Sequence, residues 1–417
     1  MRAGVRPILV MSLLVLTACA SQEPPTAPIT SLPRALTSAE SRIVQADNRF
    51  TFALLRETLG REPAGVNVFV SPLSVAMALG MTYNGAAGAT ATAFEQTLQV
   101  TGLTRDEINA SYRGLIDLLR GLDPTTTFTI ANSIWYRQDY VFDPAFLQIN
   151  RTYFDAEVQG LDFAAPGAAG TINAWVSDAT AGRIPEIVDA PIPNDIIMYL
   201  INAIYFKGTW THRFDAARTQ PQPFYRANGS QVTVPLMTHG AEVPVRAAGD
   251  TLAEVLDLPY GGGAYSMTVV LPAPGRTLDA VLAQLTQARW DAWIAALDST
   301  EITVFLPRFT LRYELVAMDE VLKALGLGPA YCDAAGAPPD FTRMDPSGRA
   351  CISEVKHKTF VLVDEAGTEA AAVTSVGVGV TSAPAMFRVD RPFLFAIRER
   401  FSGTILFMGR IMDPTAP

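Results

Sequence analysis

Apolar residues along the chain recur at helical spacing in some stretches and at every second position in others, and each change of period marks a new element. Between Ser38 and Leu59, Ile43, Val44, Phe50, Phe52, Leu54 and Leu55 follow helical spacing, which predicts the first helix of a folded domain. Asn67-Val68-Phe69-Val70 then reads as a short apolar strand. Ser71 and Pro72 supply an N-cap and a first-turn proline for a helix from Leu73 to about Asn84. The run 131–136 (Ala-Asn-Ser-Ile-Trp-Tyr) is a buried-strand candidate, and 172–176 begins a helix closing at Gly182. Residues 196–206 are nearly all apolar before Lys207-Gly208-Thr209-Trp210 breaks the run, so a strand here needs cover on both faces. Further strands are predicted at 235–237, 258–260, 267–272 and 302–309, interrupted by a helix over 278–297. Finally 352–358 leads into 359–363, which alternates.

The stretch 365–384 has a double character. Its even positions from Thr368 to Val380 are Thr, Ala, Ala, Thr, Val, Val, Val, while the odd ones from Glu369 to Thr381 are Glu, Ala, Val, Ser, Gly, Gly, Thr. Small and β-branched residues on one side, with no charge after Glu369, suit the interior of a sheet. Gly377 and Gly379 weaken it as a resident strand, because glycine loses the most backbone entropy on ordering and adds no packing. The segment is strand-competent and loop-tolerant at once.

Composition narrows the class. The chain has 417 residues, 49% of them hydrophobic, enough for one large core. The net charge of -9 is modest and the Lys and Arg residues are scattered, with no basic stripe to track phosphates, so nucleic acid is disfavoured as a partner. At the N-terminus, Arg2 and Arg6 precede an apolar run over 8–16 that is too short to span a bilayer, and residues 1–18 read as a signal peptide. Leu16-Thr17-Ala18-Cys19 resembles the bacterial lipobox, which implies cleavage after Ala18, lipidation of Cys19 and an extracytoplasmic domain anchored to a membrane by lipid. Ala20 then points to outer-membrane sorting in a host that has one. A signal peptide cut elsewhere, leaving Cys19 incidental, is the alternative. Residues 19–37 are rich in Pro, Ser and Thr and read as a tether, which leaves 38–417 as a single domain. Of the remaining cysteines, Cys332 and Cys351 are able to pair in an oxidising compartment, and two free buried thiols fit the sequence nearly as well.

Catalytic signatures are lacking. The three histidines, His212, His239 and His357, have neither a His-Glu-x-x-His arrangement nor metal-ligand spacing. No Gly-x-Ser-x-Gly elbow is present, and Gly261-Gly262-Gly263 lacks the Lys-Ser/Thr and following helix of a phosphate loop, so it reads as a hairpin turn. Asp106-Glu107 and Asp319-Glu320 sit in helical surface patterns. The expectation is a protein that is not an enzyme and takes neither cofactor nor metal.

The run Glu-x-Gly-Thr-Glu-Ala-Ala-Ala from Glu365 to Ala372, followed by Arg391-Pro392-Phe393 and by 403–410, resembles the hinge, reactive loop and closing strands of the serpins. Asn67-x-x-x-Ser71-Pro72-x-Ser74 resembles their shutter segment position for position. Residues 200–210 resemble the serpin strand that ends at a conspicuous tryptophan, here Trp210, near the point of loop entry. The resemblance covers about residues 40–413. It implies an α+β serpin fold, a large mixed central β-sheet with surrounding helices and an exposed reactive-centre loop.

The resemblance also implies roles. Ser71, Ser74, Asn202 and His357 match the polar shutter cluster, and a buried imidazole needs partners that serine hydroxyls and an asparagine can supply. Glu365, Gly367, Thr368, Glu369, Ala370, Ala371, Ala372 and Thr374 match the hinge, whose small residues separate inhibitory members from others. The spacing from Gly367 to Arg391-Pro392-Phe393 matches the serpin pattern without insertion, and so implies a scissile bond at Thr381-Ser382. The implied activity is inhibition of a serine endopeptidase by a suicide substrate: the protease cuts the loop, is held as its acyl-enzyme by a monomeric inhibitor, and the freed loop enters the central sheet. No Lys or Arg lies between Gly367 and Phe387, so a trypsin-like pocket has nothing to bind; Val380-Thr381 suits the shallow apolar pocket of an elastase-like or subtilisin-like protease. Burying Val376, Val378 and Val380 at roughly 1.5–3 kcal/mol each contributes about 5–9 kcal/mol. The rival readings are a non-inhibitory binding protein of the same fold and a lipoprotein hydrolase or solute-binding protein.

Overall fold

The computed structural model describes residues 28–368 and 385–416. The expected signal peptide, Cys19, the hinge residues Glu369, Ala370, Ala371, Ala372 and Thr374, and the bond Thr381-Ser382 lie outside the described residues. The helices are α1 (Ser38–Leu59), α2 (Pro72–Tyr83), α3 (Gly88–Thr97), α4 (Arg105–Leu119), α5 (Pro144–Phe154), α6 (Ala168–Ala179), α7 (Leu278–Ala283), α8 (Gln287–Ala295) and α9 (Met318–Leu322). The first half of the chain holds strands β1 (Val68–Val70), β2 (Thr126–Arg137), β3 (Ala156–Leu161), β4 (Met198–Thr209), β5 (Gln220–Tyr225), β6 (Gln231–Thr238), β7 (Val243–Gly249) and β8 (Ala253–Tyr260). The second half holds β9 (Tyr265–Pro272), β10 (Asp298–Pro307), β11 (Phe309–Glu314), β12 (Lys358–Val363), β13 (Gly367–Thr368), β14 (Met386–Arg388), β15 (Phe393–Glu399) and β16 (Ile405–Ile411).

Two sheets form from these strands. The larger runs β1-β16-β15-β9-β8-β7-β10-β6-β5, with β14 paired to β10. The smaller runs β11-β12-β13-β4-β2-β3. One large apolar core joins them; within it the Phe69 ring stacks at 5.4 Å on Phe395 and 5.2 Å on Phe407. A second cluster, with Trp135, Ile172, Val176 and Ile201, lies beneath α6 and covers the other face of β4. Both faces of that apolar strand are thus packed, as its composition requires.

Several boundaries differ from the sequence pattern for local reasons. β4 continues through Thr209 because Gly208 lets the strand pass under an aromatic ring: a Cβ there would stand 2.8 Å from Tyr260. α6 starts at Ala168, before the apolar run. The helix expected over 278–297 is two helices, since the Thr286 hydroxyl accepts from the Arg289 N–H and caps a fresh start. The strand expected over 302–309 ends at Pro307, and Phe309 begins β11 in the other sheet. Ser71 occupies the N-cap position of α2 without capping it: its hydroxyl donates to the Leu406 carbonyl at 2.9 Å.

The tether expected over 19–37 lies on the body from Ile29 onward. The Ile29 N–H donates to the Gly262 carbonyl at 2.8 Å, at the β8–β9 turn, and Arg34 grips both carboxylate oxygens of Glu40 at 2.7 and 2.8 Å. Cys332 and Cys351 form a disulfide, which closes the question their spacing left open. At the rim of the larger sheet, β5 pairs with β6 so that Pro221 stands opposite Pro235, with Pro223 two residues on. Among the described residues no helix is long and apolar enough to cross a membrane.

Candidate functional site

β13 is only two residues long, yet it lies between two much longer strands. Gly367 and Thr368 pair antiparallel with Thr209 and Gly208 of β4, and Thr368 pairs antiparallel with Val363 of β12. β4 and β12 therefore run parallel to each other. Among the described residues, nothing pairs with the remainder of either strand on the facing side. The result is an open slot. A cavity of about 140 Å³ occupies its lower part, lined by Ser74, Asn202, Ile204, Val355, His357 and Thr359. Under β13 the space narrows to about 10 Å³ between Ile204, Phe206, Val361 and Thr368.

The floor of the slot is polar where α2 and β1 pass beneath it. The Ser74 hydroxyl donates to the Asn202 carbonyl at 3.1 Å, and the Asn202 amide donates to Asn132 Oδ1 at 2.7 Å. His357, 5% exposed, accepts at Nε2 from the Ser71 N–H at 3.0 Å. Burial pushes its pKa down to about 4, so the ring is neutral and able to accept. The Thr359 hydroxyl donates to the Phe69 carbonyl at 2.6 Å. Of the four expected shutter residues, Ser74 meets Asn202 and Ser71 meets His357, the latter through its backbone rather than its hydroxyl. Asn202 and His357 stand on opposite flanks of the slot, and Asn202 Oδ1 is buried without a partner. Sequence reasoning missed Asn132 and Thr359. The signal for Asn132 was present: it is a polar residue at an inward position of β2, between the fully buried Ile130 and Ile134.

At the upper end, the turn that leads into β13 is gripped from several sides. Trp210 donates from its ring N–H to the Asp364 carbonyl and from its backbone N–H to the Ala366 carbonyl, each at 2.9 Å. Its ring stacks at 4.4 Å on Tyr260, whose hydroxyl lies 2.7 Å from Thr368 Oγ1. Asp364 Oδ1 accepts from the N–H groups of Ala366 and Gly367. Burial works to raise the Glu365 pKa, but hydrogen bonds from Arg308 and Thr219 outweigh it and hold the carboxyl below its usual range. Gly367 has φ +157°, and a Cβ there would stand 2.0 Å from the Gly208 carbonyl oxygen, so glycine is the residue this approach permits.

A crossing segment after α6 spans the outer face of the slot. The Asn173 amide secures it on one side through Ile187 and Val188. On the other side Arg312 donates to the Arg183 carbonyl at 3.0 Å, and Lys356 pairs with Asp189.

A family model described as Serpin (serine protease inhibitor) matches residues 45–414. An uncharacterised serpin-like protein of Thermococcus kodakarensis is 35% identical over 387 residues, covering 90% of this chain and 86% of that one. The leukocyte elastase inhibitor of Bos taurus is 35% identical over 386 residues, covering 88% and 98%. Among solved structures, the thermophilic serpin tengpin in its native state superposes with a TM-score of 0.80 at 28% identity, covering 93% and 97%. Thyroxine-binding globulin in complex with thyroxine superposes with a TM-score of 0.80 at 27% identity, covering 90% and 100%. The chain belongs to the serpin family.

Proposed function

We propose that this serpin inhibits a serine endopeptidase as a suicide substrate, and that the slot between β4 and β12 receives its cleaved loop. The observation that carries the reading is the register of β13. Each further residue of an entering strand steps back one position along both flanks. Ala370 then falls opposite Phe206 and Val361, Ala372 opposite Ile204 and Thr359, and Thr374 opposite Asn202 and His357. These partners are buried except for Asn202, which is partly so. The even face of 368–378 is the face with only small and β-branched residues, and the Thr374 hydroxyl would arrive beside the unpartnered Asn202 oxygen.

In this mechanism the protease serine attacks the Thr381 carbonyl and Ser382 leaves as the new amine, which gives an acyl-enzyme. The freed strand enters the slot and carries the protease with it before water can complete the cut. Val376 and Val378 would fall opposite Leu200 and Met198, whereas Val380 would pass beyond the first residue of β4. The apolar gain is therefore that of two valines, about 3–6 kcal/mol, with ladder bonds adding about 1 kcal/mol each. An uncut protein that forgoes this gain is held by a barrier, and its stability is kinetic.

The apolar residues before Thr381 suit an elastase-like or subtilisin-like target, and the likeness to an elastase inhibitor supports that choice. The inhibitor acts as a monomer, and lipidation at Cys19 would hold it outside the cytoplasm on a bacterial membrane. A second reading, a non-inhibitory carrier, draws on the likeness to a globulin that binds thyroxine. Mixing the protein with elastase or subtilisin separates the two. Inhibition gives a covalent band that survives boiling in detergent, and nicking the loop raises the melting temperature. Cleavage with no such band and no rise in melting temperature overturns the inhibitor reading.

A further inference from the structure

The larger sheet takes no part in loop entry as described, yet one corner of it holds three guanidinium groups around a single buried carboxylate. Register places Ser299 of β10 opposite Arg246 of β7, and Arg246 opposite Asp257 of β8, so these three side chains share one face of the sheet. Asp257 is 1% exposed, and its Oδ1 accepts from Ser266 at 2.8 Å, from Thr268 at 2.7 Å and from Arg398 Nη2 at 2.9 Å. Arg398 is equally buried. The carboxylate is therefore committed to one guanidinium and two hydroxyls.

The other two guanidinium groups are left without a counter-charge of their own. Arg400, just past β15, donates through Nη1 to the Gly263 carbonyl at 2.7 Å, and its Nε stands 3.7 Å from Asp257 Oδ2, outside hydrogen-bond reach. Arg246 donates through Nη2 to the Leu297 carbonyl at 2.7 Å, and among the described residues no ion pair reaches it. Burial lowers the Arg400 pKa; Asp257 opposes this, while Arg398 and Arg246 add to it, as cations crowded together do. Arg246 and Arg400 line a cavity of about 500 Å³ with Ser299, Asp257 and the exposed Glu301, whose carboxylate makes no ion pair with either arginine among the described residues.

We infer that this recess binds a compact oxyanion of the phosphate or sulfate class, held by Arg246 and Arg400 with the Ser299 hydroxyl as a further donor. Guanidinium groups present paired N–H donors to such oxygens, and half-buried cations are screened less by salt than exposed ones. The volume lies within the range of small-ligand sites. Glu301 sets the limit on charge, because an extended polyanion would bring further negative groups against it, whereas a single ion places its charge at the arginines alone. The site is independent of loop entry, since β7, β8 and β10 belong to the other sheet.

The test titrates the full chain with inorganic phosphate and, in a second arm, with sulfate, each against sodium chloride at equal ionic strength. Calorimetry and melting temperature are read for wild type, Arg400→Gln, Arg246→Gln, Glu301→Gln and Arg276→Gln, the last an exposed arginine outside the recess. Wild type is expected to bind a single equivalent and to gain a rise in melting temperature that chloride does not reproduce. Affinity is expected to fall by about tenfold or more in Arg400→Gln and in Arg246→Gln, and to stay unchanged in Arg276→Gln. Glu301→Gln is expected to bind about two- to threefold tighter, because a repelling carboxylate is gone; a merely structural role for the arginines would not give that gain. Absence of saturable binding by wild type overturns the site, as does affinity in both arginine variants within about twofold of wild type. Should Arg400→Gln fail to fold for want of its bond to Gly263, Arg246→Gln and Glu301→Gln decide. Retention on phosphatidylglycerol vesicles without binding of free phosphate or sulfate also overturns it, since that would be recognition of a lipid surface.

Discussion

Replacing Ala370 with arginine is expected to turn the inhibitor into a mere substrate. The strand enters from the hinge downward, so position 370 passes into the slot before any valine does. Its expected neighbours are Phe206, 6% exposed, and Val361, 1% exposed, and neither side chain offers an acceptor. An unpaired guanidinium buried there costs on the order of 5 kcal/mol. At that stage only one or two ladder bonds, worth about 1 kcal/mol each, have formed in return. Those bonds form in the wild type as well, so the added barrier is the full penalty of about 5 kcal/mol and slows entry by more than about a thousandfold, long enough for the protease to hydrolyse its acyl-enzyme and depart. Glu369→Arg is the matched control, because in the same register position 369 faces Lys207, which is exposed, and the new cation stays in water. The assay titrates each variant against elastase or subtilisin and resolves the products after boiling in detergent. Ala370→Arg is expected to be cut in full with no stable complex and a smaller rise in melting temperature, while Glu369→Arg keeps both the complex and the full rise. A stable complex with Ala370→Arg in wild-type yield would refute the register and the slot together.

Three further outcomes follow from the resting structure. Tyr260→Phe removes the hydroxyl that meets Thr368 Oγ1, and calorimetry is expected to show a native state weaker by about 1 kcal/mol, with faster hydrogen exchange at β13. His239 and His357 are both held down to about 4 by burial, so the folded protein keeps them neutral while the unfolded chain protonates them near 6.5. Their contribution is fully present above about pH 6.5 and is lost as pH falls toward 4, up to about 3 kcal/mol each; urea midpoints across that range are expected to fall, and less steeply in His239→Gln. Asp47 has the opposite sign, since burial pushes its carboxyl up to about 7 and its Oδ2 has no partner. Stability is therefore lost as pH rises from near 4 through 7, and Asp47→Asn is expected to be the more stable form at pH 8, by at most about 4 kcal/mol, and no better at pH 4.

What the sequence made legible was local. α1 occupies the residues its periodicity marks, because Thr37 and Glu40 cap each other across its first turn, and the Gly261–Gly263 turn joins β8 to β9 as a hairpin. The polar residues on the slot floor, and Trp210 at its upper end, could be named through the serpin resemblance. What joins them could not, because the slot exists only as a relation between β4 and β12, more than 140 residues apart in the chain. The partner of His357 was misread for a related reason: a hydroxyl is visible in a sequence, while the Ser71 backbone N–H that binds the ring depends on how α2 begins. The transfer of the chain from one sheet to the other at Arg308 likewise leaves no mark in an apolar run. The estimate of the gain on insertion fell from three valines to two only when the length of β4 was known.

The prolines of β5 bear on how copies of the protein behave toward one another. In an antiparallel ladder alternate residues point their N–H groups away from the partner strand, and on β5 these are positions 221, 223 and 225. Two of the three are prolines with no N–H to offer, and the Tyr225 N–H is already given to the Asp390 carbonyl. That margin has no donor left with which to template a neighbour's strand. Crowding of many molecules on one surface would thus find this border closed to side-by-side fusion.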